Sequence, residues 1–455
     1  MISFDSIVFF CLRLLAAALL PCALAQAAIP IAHWTQASGA RIYLVESPAI
    51  AMVDVQIDFD AGARRDPRDK PGLANLMASS TAYGVKAHGT APALDENALS
   101  DAWADLGASF GGGASNDRLS FTLRSLTYPD LLEQAVALAA RQIGDPAYPE
   151  ALWLRDRLKL IASLKEASTR PATLAGRAFA KAVYGDHPYG SESTEESLNR
   201  ISAADLRALH AHALKACGAR VSIVGAVNRV QADALVTKLL AHLPTGPCDA
   251  LPPVPEVAPL AAASEQRISF ASAQAHVLVG QPGIARNSPD FFALTVGNHI
   301  LGGGGFTARL TEEVREKRGL TYSVYSYFAP GLHAGAFTIG LQTRPDQAQQ
   351  ALDLVREVVA RFVESGPTEK ELQAAKDNLI GGFALRLDSN RKLLENVANI
   401  AWNNLPLDYL ETWTTQVQKL TVEAIRAAFA RTLQPQKMAT VLLGAEEGKP
   451  VKLAP

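Results

Sequence analysis

Residues of alternating polarity recur along this chain in short stretches, and such alternation predicts β-strands. In the first part of the chain the predicted strands cover 41–46, 52–59, 108–114, 119–126 and 220–225. Apolar residues at helical spacing predict helices over 72–83, 95–106, 129–143, 150–167, 172–184, 203–214 and 230–242. We expect the first two strands to pair as a hairpin.

The second part of the chain repeats this pattern at an offset of about 219 residues. The segment SAADLRALHAHAL at 202–214 matches TVEAIRAAFARTL at 421–433, and RVSIVGA at 220–226 matches MATVLLGA at 438–445. A strand–turn–helix block also aligns, with 53–84 facing 272–303. Several similarities at one offset and in one order indicate two homologous halves.

The order of the predicted elements gives the fold class and the domain organisation. Each half has strands first, then several helices, then a helix and a closing strand. This order predicts an α+β domain in which helices pack on one face of a mainly antiparallel sheet. We place the halves at 28–243 and 265–447, joined by a proline-rich linker at 244–264 that should be extended and semi-rigid.

Composition excludes several classes of protein. With 48% hydrophobic residues among 455, the chain can bury large cores, so global disorder is not expected. The net charge of −2 gives no electrostatic case for binding nucleic acid or an anionic membrane. The sequence contains no phosphate-binding loop, dinucleotide fingerprint or CxxC motif.

The first 27 residues resemble a secretory signal, with an apolar stretch followed by small-x-small cleavage sites around Ala25 and Ala27. Asp5 and Arg13 are atypical of such a signal, so an uncleaved anchor is the alternative. A lipoprotein site at Cys22 is disfavoured by the preceding Pro21. No second apolar run has membrane length. We therefore expect the mature chain to be exported, to the periplasm if the source is Gram-negative.

Two cysteines remain once the signal is removed. Cys217 precedes the strand at 220–225, and Cys248 follows the helix at 230–242. A strand followed by an antiparallel helix brings these two ends to the same side, so a Cys217–Cys248 disulfide is feasible in an oxidising compartment. Two free thiols are the alternative.

The segment 301–327 carries the strongest candidate for binding chemistry. Gly302, Gly303, Gly304 and Gly305 leave a bare, flexible backbone. A helix is predicted over 306–317, with Gly319 ending it, and a strand over 320–327. Arg315 in the last helical turn and Tyr322 on the strand are suited to hold a peptide carbonyl beside the glycines. A plain loop, with the arginine complementing the helix dipole, is the structural alternative.

These residues resemble a known family. The segment GGGGFTARLTEEVREKRGLTYSV is similar to the signature of the C-terminal half of the pitrilysin/insulinase zinc metallopeptidases. That resemblance implies that Arg315 and Tyr322 help to bind substrate opposite a zinc ion. It also implies a fold built from paired homologous halves and extends over nearly the whole mature chain.

The zinc motif of that family is degenerate here. The family pattern G-x-A-H-x-x-E-H, in which two histidines hold Zn²⁺ and the glutamate is the general base, aligns with 72–79. Asn75 stands in place of the first histidine, Ala78 in place of the base and Ser79 in place of the second histidine. Asp156 falls near the position of the distal ligand. We therefore expect this chain to bind no metal through this motif and to have no catalytic residue of its own.

No substitute active site is evident in the sequence. His210 and His212 are two residues apart on a helix and point in different directions, while His187 lies in a loop and His299 on an apolar helix. We expect the histidines to be structural or exposed groups rather than metal ligands. No G-x-S-x-G motif is present.

The resemblance suggests a division of labour, because some members of the family split into a zinc-bearing subunit and a zinc-free one that keeps the arginine–tyrosine pair. The leading hypothesis is a non-catalytic, substrate-binding subunit of an exported heterodimeric zinc endopeptidase, with zinc on its homologous partner. A structural or peptide-binding scaffold without a role in proteolysis is the first alternative. A stand-alone protease with an unrecognised site is the second.

Overall fold

A computed structural model describes residues 29–444. The predicted signal segment 1–27 lies outside the described residues. The strands are β1 Ala32–Thr35, β2 Arg41–Glu46, β3 Met52–Phe59, β4 Gly84–Val85, β5 Leu94–Asp95, β6 Ser109–Ala114, β7 Leu119–Leu126, β8 Arg220–Gly225, β9 Ser264–Ser269, β10 Ala275–Pro282, β11 Ser323–Phe328, β12 Ala336–Thr343 and β13 Ala439–Gly444. The α-helices are α1 Leu73–Ser79, α2 Glu96–Asp105, α3 Pro129–Gly144, α4 Glu150–Ala167, α5 Pro171–Tyr184, α6 Glu195–Arg200, α7 Ala203–Ala213, α8 Arg229–Leu239, α9 Phe291–Asn298, α10 Ala348–Ser365, α11 Glu369–Gly381, α12 Asn390–Trp402, α13 Tyr409–Gln418 and α14 Val422–Thr432.

The first half forms a six-stranded sheet of order β1-β2-β8-β3-β7-β6. All of its neighbouring strands are antiparallel except the parallel pair β2–β8. The hairpin expected from β2 and β3 is wrong, although both strands have the predicted bounds, because β8 lies between them. Five of the six residues of β8 are buried, so this closing strand occupies the centre of the sheet rather than an edge.

The second half forms a five-stranded sheet of order β11-β12-β10-β13-β9. Here too a single parallel pair, β13–β9, joins an otherwise antiparallel sheet. The closing strands β8 and β13 therefore occupy matching places, as the sequence repeat predicts. The expected α+β class with mainly antiparallel sheets is confirmed.

The two halves exchange one helix each. Helix α5 of the first half packs on β10 and β13 of the second sheet, and α12 of the second half packs on β8 and β3 of the first. The two helices begin at Pro171 and Asn390, which are separated by the offset of the sequence repeat. Each sheet thus has its own helices on one face and a helix from the other half on the opposite face.

Alternation along β3 shows why both faces of the first sheet are covered. Val53, Val55, Ile57 and Phe59 are buried in the core formed with the first half's own helices. On the opposite face Asp58 is fully buried, and it forms an ion pair at 3.2 Å with Arg118, which also donates a hydrogen bond to a carbonyl of α12. The polar residues of β3 therefore face the exchanged helix.

A second polar contact joins the halves at the loop between β11 and β12. The Asp117 carboxylate accepts hydrogen bonds from the Tyr189 hydroxyl and from the Leu332 backbone N–H at 2.8 Å. The same hydroxyl accepts from the backbone N–H of His333 at 3.1 Å. The loop at 187–190 thus fixes the second half against the first.

The proline-rich segment follows the surface of the first half before β9 begins. Arg65 donates to the carbonyl of Pro252, and a ring nitrogen of His187 lies 2.9 Å from the carbonyl of Pro255. A disulfide joins Cys217 to Cys248, with the Cα atoms 5.8 Å apart. Gly39, whose φ is +88°, lies against Cys217, where a Cβ would come within 3.0 Å of it. The start of the proline-rich segment is therefore bonded covalently to the turn that precedes β8.

None of the helices in the described residues is both long enough and apolar enough to cross a membrane.

Candidate functional site

Part of the glycine-rich segment is packed closely against neighbouring residues. A Cβ on Gly302 would come within 2.4 Å of the Ser326 hydroxyl, and one on Gly304 would come within 2.6 Å of the His299 carbonyl oxygen. Gly305 has a φ of +65°, which favours glycine. Gly302 therefore permits close packing against β11, and Gly304 permits close packing against His299; the flexibility expected of the segment stays a prediction.

The helix expected at 306–317 is also irregular. A 3₁₀ turn spans Gly305–Thr307, and a π-helical turn spans Thr311–Glu316. In a π turn the backbone hydrogen bonds join residues five apart rather than four. Gly319 ends this turn as predicted, with a φ of +60° and its N–H bonded to the carbonyl of Arg315 at 2.8 Å. The chain then reverses into β11. Single π turns inside helical segments are frequent at functional sites.

This reversal brings Arg315 and Tyr322 together. The guanidinium carbon of Arg315 lies 5.0 Å from the Tyr322 ring centroid and 4.7 Å from that of Phe306. The guanidinium is thus held beside two aromatic rings, an arrangement that orients a cation at little cost in solvation. Tyr322 is 82% exposed and Phe306 is 72% exposed. The sequence predicted the first pair, but the contribution of Phe306 is visible only in the structure.

A cavity of about 500 Å³ opens beside this pair. Its lining includes Tyr322, which precedes β11, the alternate strand residues Tyr325 and Tyr327, and the small residues Ala172 and Gly176 of the exchanged helix α5. Tyr325 and Tyr327 stack with their ring centroids 6.0 Å apart. Partial burial raises the pKa of Tyr325, which therefore stays a neutral hydroxyl at physiological pH. The cavity thus presents aromatic surface and phenol groups beside Tyr322, whose ring contacts Arg315.

Strand β11 is an edge strand of its sheet, and within residues 29–444 it pairs only with β12. Its outer edge leaves backbone donors and acceptors that an extended peptide can use, except at Ser326, whose carbonyl accepts a hydrogen bond from the Asn298 side chain at 3.0 Å. The edge, the tyrosine-lined cavity and Arg315 together form a surface suited to binding a peptide backbone with little sequence preference.

Helix α1 carries the degenerate zinc motif and has no set of metal ligands. Asn75 and Ser79 lie on its exposed face, where the side-chain amide oxygen Oδ1 of Asn75 accepts a hydrogen bond at 3.0 Å from the Ala114 N–H of β6. The Ser79 hydroxyl donates to the carbonyl of Leu76 at 3.2 Å. Ala78 is fully buried, where a general base would have no access to water. The residues present therefore do not fit a zinc ion.

Asp156, at the position of the distal ligand, has other partners. It pairs with Arg155 at 2.8 Å and with Lys159 at 3.0 Å. These hydrogen bonds, chiefly that from Arg155, hold the pKa of the Asp156 carboxyl well below its usual range. Within residues 29–444, no hydrogen bond or ion pair joins α1 or Asp156 to Arg315 or Tyr322. The structure thus brings Arg315 and Tyr322 together, whereas Asn75, Ser79 and Asp156 have hydrogen-bond partners of their own.

A further cluster of potential ligands escaped the sequence analysis. His88, Asp145 and His242 bring their ligand atoms within 4.8 Å of one another. Asp145 and His242 are 97 residues apart in the chain, so no spacing motif signals the group.

Comparison with known proteins finds similar proteins over most of the chain. A family profile described as the peptidase M16 inactive domain matches residues 200–379. The crystal structure of a peptidase M16 inactive domain from Pseudomonas fluorescens is 37% identical, covers 92% of this chain and 100% of its own, and superposes with a TM-score of 0.86. The non-peptidase homolog YmxG of Helicobacter pylori is 26% identical over 84% of this chain and 86% of its own.

The periplasmic protease PqqL of Escherichia coli shares the fold at 20% identity and a TM-score of 0.77; the match covers 92% of this chain but 46% of the PqqL chain. The protein therefore belongs to the peptidase M16 family, in which it matches a domain described as inactive, and this confirms the resemblance seen in its sequence.

Proposed function

We propose that this protein is the non-catalytic, substrate-binding subunit of an exported heterodimeric zinc endopeptidase. Its homologous partner supplies the zinc ion and the general base, and this chain supplies Arg315 and Tyr322. The observation that carries the proposal is the combination of two features: an exposed Tyr322 with Arg315 stacked on its ring, and an α1 helix without metal ligands. The chain thus carries groups suited to bind a peptide, although its zinc motif lacks the residues that would cleave one.

The two residues are suited to bind a substrate carbonyl. The guanidinium of Arg315 is planar and permanently charged and offers several N–H donors; it lies over the rings of Phe306 and Tyr322, and its Nε pairs with Glu316 at 3.2 Å. The Tyr322 hydroxyl, being exposed, is available to donate a second hydrogen bond. Donors placed where negative charge develops on a scissile carbonyl typically contribute a factor of about 10²–10³ in rate.

The peptide-binding surface supports the same proposal. An extended segment that pairs with the free edge of β11 would place its backbone beside these donors, and the cavity of about 500 Å³ would accept one of its side chains. Main-chain pairing of this kind is tolerant of sequence, which suits the degradation or processing of varied peptides.

The comparison with PqqL supports a paired assembly. This chain spans about half of the PqqL chain, so a protein of that length has room for two such units. The description of PqqL as a periplasmic protease also agrees with the export signal predicted at 1–27. In the proposed heterodimer, the two units are separate chains.

The alternative is a peptide-binding scaffold without a role in proteolysis. The relationship to a protein named as a non-peptidase homolog favours it. The exposed Tyr322 and the stacked Arg315 favour the substrate-binding subunit, because a purely structural role would not require both groups to face solvent.

The test is reconstitution of peptidase activity. This chain and a zinc-motif homologue from the same genome are purified separately, then assayed alone and as a mixture against a quenched peptide library. Activity that appears only in the mixture, and is lost when the partner's zinc motif is mutated, supports the proposal. A partner that is fully active alone, or a mixture that is inactive while this chain still binds peptides, supports the scaffold instead. Cell fractionation checks the periplasmic location independently.

A further inference from the structure

We propose that His88, Asp145 and His242 form a binding site for a divalent transition-metal ion of the zinc class, in the first half of the chain. The site shares no residue with α1 or with the Arg315–Tyr322 surface. It is independent of the proposed function, since it concerns the stability of this chain rather than peptide hydrolysis.

The three side chains converge on one point. The Asp145 carboxylate oxygen Oδ2 lies 3.0 Å from Nδ1 of His88 and also forms a short contact with Nδ1 of His242. The two imidazole rings stack with centroids 4.0 Å apart. The same nitrogen of each ring therefore faces the same carboxylate oxygen, so small side-chain rotations are enough for all three atoms to coordinate one ion.

Each ligand is held by backbone contacts. His88 begins a tight turn in which His88 and Ala91 exchange two backbone hydrogen bonds and Gly89 has a φ of +56°. Asp145 directly follows α3, with its N–H bonded to the carbonyl of Arg141 and its carbonyl accepting from the N–H of Lys86. These hydrogen bonds fix the backbone at His88 and at Asp145, so little backbone conformational entropy remains to be lost when an ion binds.

Gly144 shows how closely the third ligand approaches. A Cβ at this position would lie 2.2 Å from the Cβ of His242 and 2.9 Å from its carbonyl oxygen. Only a residue without a side chain lets the loop after α8 pass the end of α3 at this distance. The glycine therefore brings His242 next to Asp145, and any other residue there would separate them.

The donor set selects the class of metal. Two imidazoles and one carboxylate are the ligands that zinc takes in proteins, and three protein ligands leave a fourth position for water. His88 is half-exposed, whereas His242 and Asp145 are largely buried, so the fourth position faces solvent on the His88 side. Hard ions such as Mg²⁺ prefer sites built from oxygen alone, and a single carboxylate does not offer one.

Metal binding would join three separate elements: the loop after β4, the end of α3 and the loop after α8. Because the unfolded chain does not hold these residues together, binding stabilises the folded state. The consequence is a first half whose thermal stability rises with zinc concentration.

The experiment is a titration of the full-length, chelator-treated protein with Zn²⁺, in which calorimetry measures binding and thermal unfolding measures Tm. A separate titration with Co²⁺ is monitored by visible absorption. We expect one ion per chain, a raised Tm that chelator reverses, and cobalt bands typical of four-coordinate geometry. His88→Ala and His242→Ala each remove one of the three ligands and should each weaken zinc binding by about 100-fold or more, since loss of an outer-shell partner alone can cost that much. The exposed His212→Ala is the matched control and should bind like the parent.

His88 lies in an exposed loop, so its variant tests the site without risk to the core. Circular dichroism of each variant checks that it is folded. The proposal is overturned if the parent binds no ion, or if His88→Ala and His242→Ala bind zinc as tightly as His212→Ala does.

Discussion

Arg220 of β8 stacks on Trp402, the last residue of the exchanged helix α12, with its guanidinium carbon 4.8 Å from the centre of the indole. The same guanidinium donates hydrogen bonds to the carbonyls of Ala401, at 3.2 Å, and of Trp402. Arg118 binds the carbonyl of Ala398 one turn earlier. Two arginines of the first half thus lie at the C-terminal end of a helix from the other half, where the helix dipole favours positive charge, and Arg220 satisfies two of the free carbonyls there.

This contact predicts a large loss of stability for Trp402→Ala. Trp402 is 5% exposed, so truncation removes buried apolar surface and leaves the Arg220 guanidinium without its aromatic partner. We expect the free energy of unfolding to fall by about 3–5 kcal/mol. Denaturation in urea, followed by far-ultraviolet circular dichroism, measures the change. Arg391→Ala on the exposed face of the same helix is the control, expected within about 0.5 kcal/mol of the parent. A small effect of Trp402→Ala would mean that α12 is not anchored at this end.

The disulfide predicts a stability that depends on redox conditions. Cys217 and Cys248 are separated by 31 residues, and closing a loop of this length stabilises the folded state by about 3–4 kcal/mol. Reduction by dithiothreitol, or the double variant Cys217→Ser/Cys248→Ser, should lower the free energy of unfolding by the same amount, which is measured as a lower urea midpoint. The two treatments should not add. If dithiothreitol destabilises the double variant as well, the loss has another origin.

Asp66 predicts a dependence of stability on pH. Its carboxylate accepts hydrogen bonds from the N–H groups of Gly72 and Ala74 at the start of α1, yet burial raises its pKa to about 6. Between about pH 4 and pH 6 the Asp66 carboxyl is ionised in the unfolded chain but still protonated in the folded chain. The protonated carboxyl therefore contributes its full stabilisation below pH 4, and this stabilisation is lost as the pH rises through 6.

The matched test of Asp66 is Asp66→Asn, which removes the ionisation but keeps only one of the two acceptor oxygens. The variant should be less stable than the parent below pH 4, and its free energy of unfolding relative to the parent should rise by about 2–3 kcal/mol between pH 4 and pH 7. Urea midpoints between pH 4 and pH 8 measure the difference. The exposed Asp186, whose pKa is lowered by Lys181, provides the control Asp186→Asn, which should not show this gain. A constant difference across the range would contradict the shift at Asp66.

The elements of the fold could be predicted from the sequence because each rests on local spacing. The bounds of β2, β3, β8 and α4 agree with the predicted ones, and the offset of the repeat anticipates the matching places of β8 and β13. The pairing of the strands could not be predicted this way. Nothing local in β2 or β3 shows that a strand about 170 residues later in the chain enters between them, since that depends on burial in the complete sheet.

The exchange of α5 and α12 was missed for a similar reason. Both helices have an apolar face, and the sequence does not tell which sheet that face meets. In the candidate site, Arg315 and Tyr322 were found because a long motif carries them. Phe306, the π-helical turn and the His88 cluster depend on side chains that approach through space. The replaced ligands Asn75, Ala78 and Ser79 could be identified because they occupy defined positions in a helical motif.

The Arg315–Tyr322 pair predicts a loss of activity without a loss of folding. In the reconstituted complex, Tyr322→Phe keeps the ring that supports Arg315 but removes the hydroxyl, and Arg315→Ala removes the cation. Each should lower kcat/KM by about 10²–10³, because each removes a donor to the substrate carbonyl. Both residues are at least partly exposed, so the urea midpoint of this chain should change little.

Phe306→Ala separates positioning of the guanidinium from direct contact with substrate. It leaves both donors in place but removes one of the rings beside Arg315, so we expect a smaller loss of kcat/KM than in Arg315→Ala. Arg318→Ala, which removes an arginine paired with Glu313 on the same segment, is the matched control and should keep full activity. If Arg315→Ala and Tyr322→Phe also kept full activity while peptide binding persisted, the pair would belong to a scaffold, and the partner would carry out hydrolysis without it.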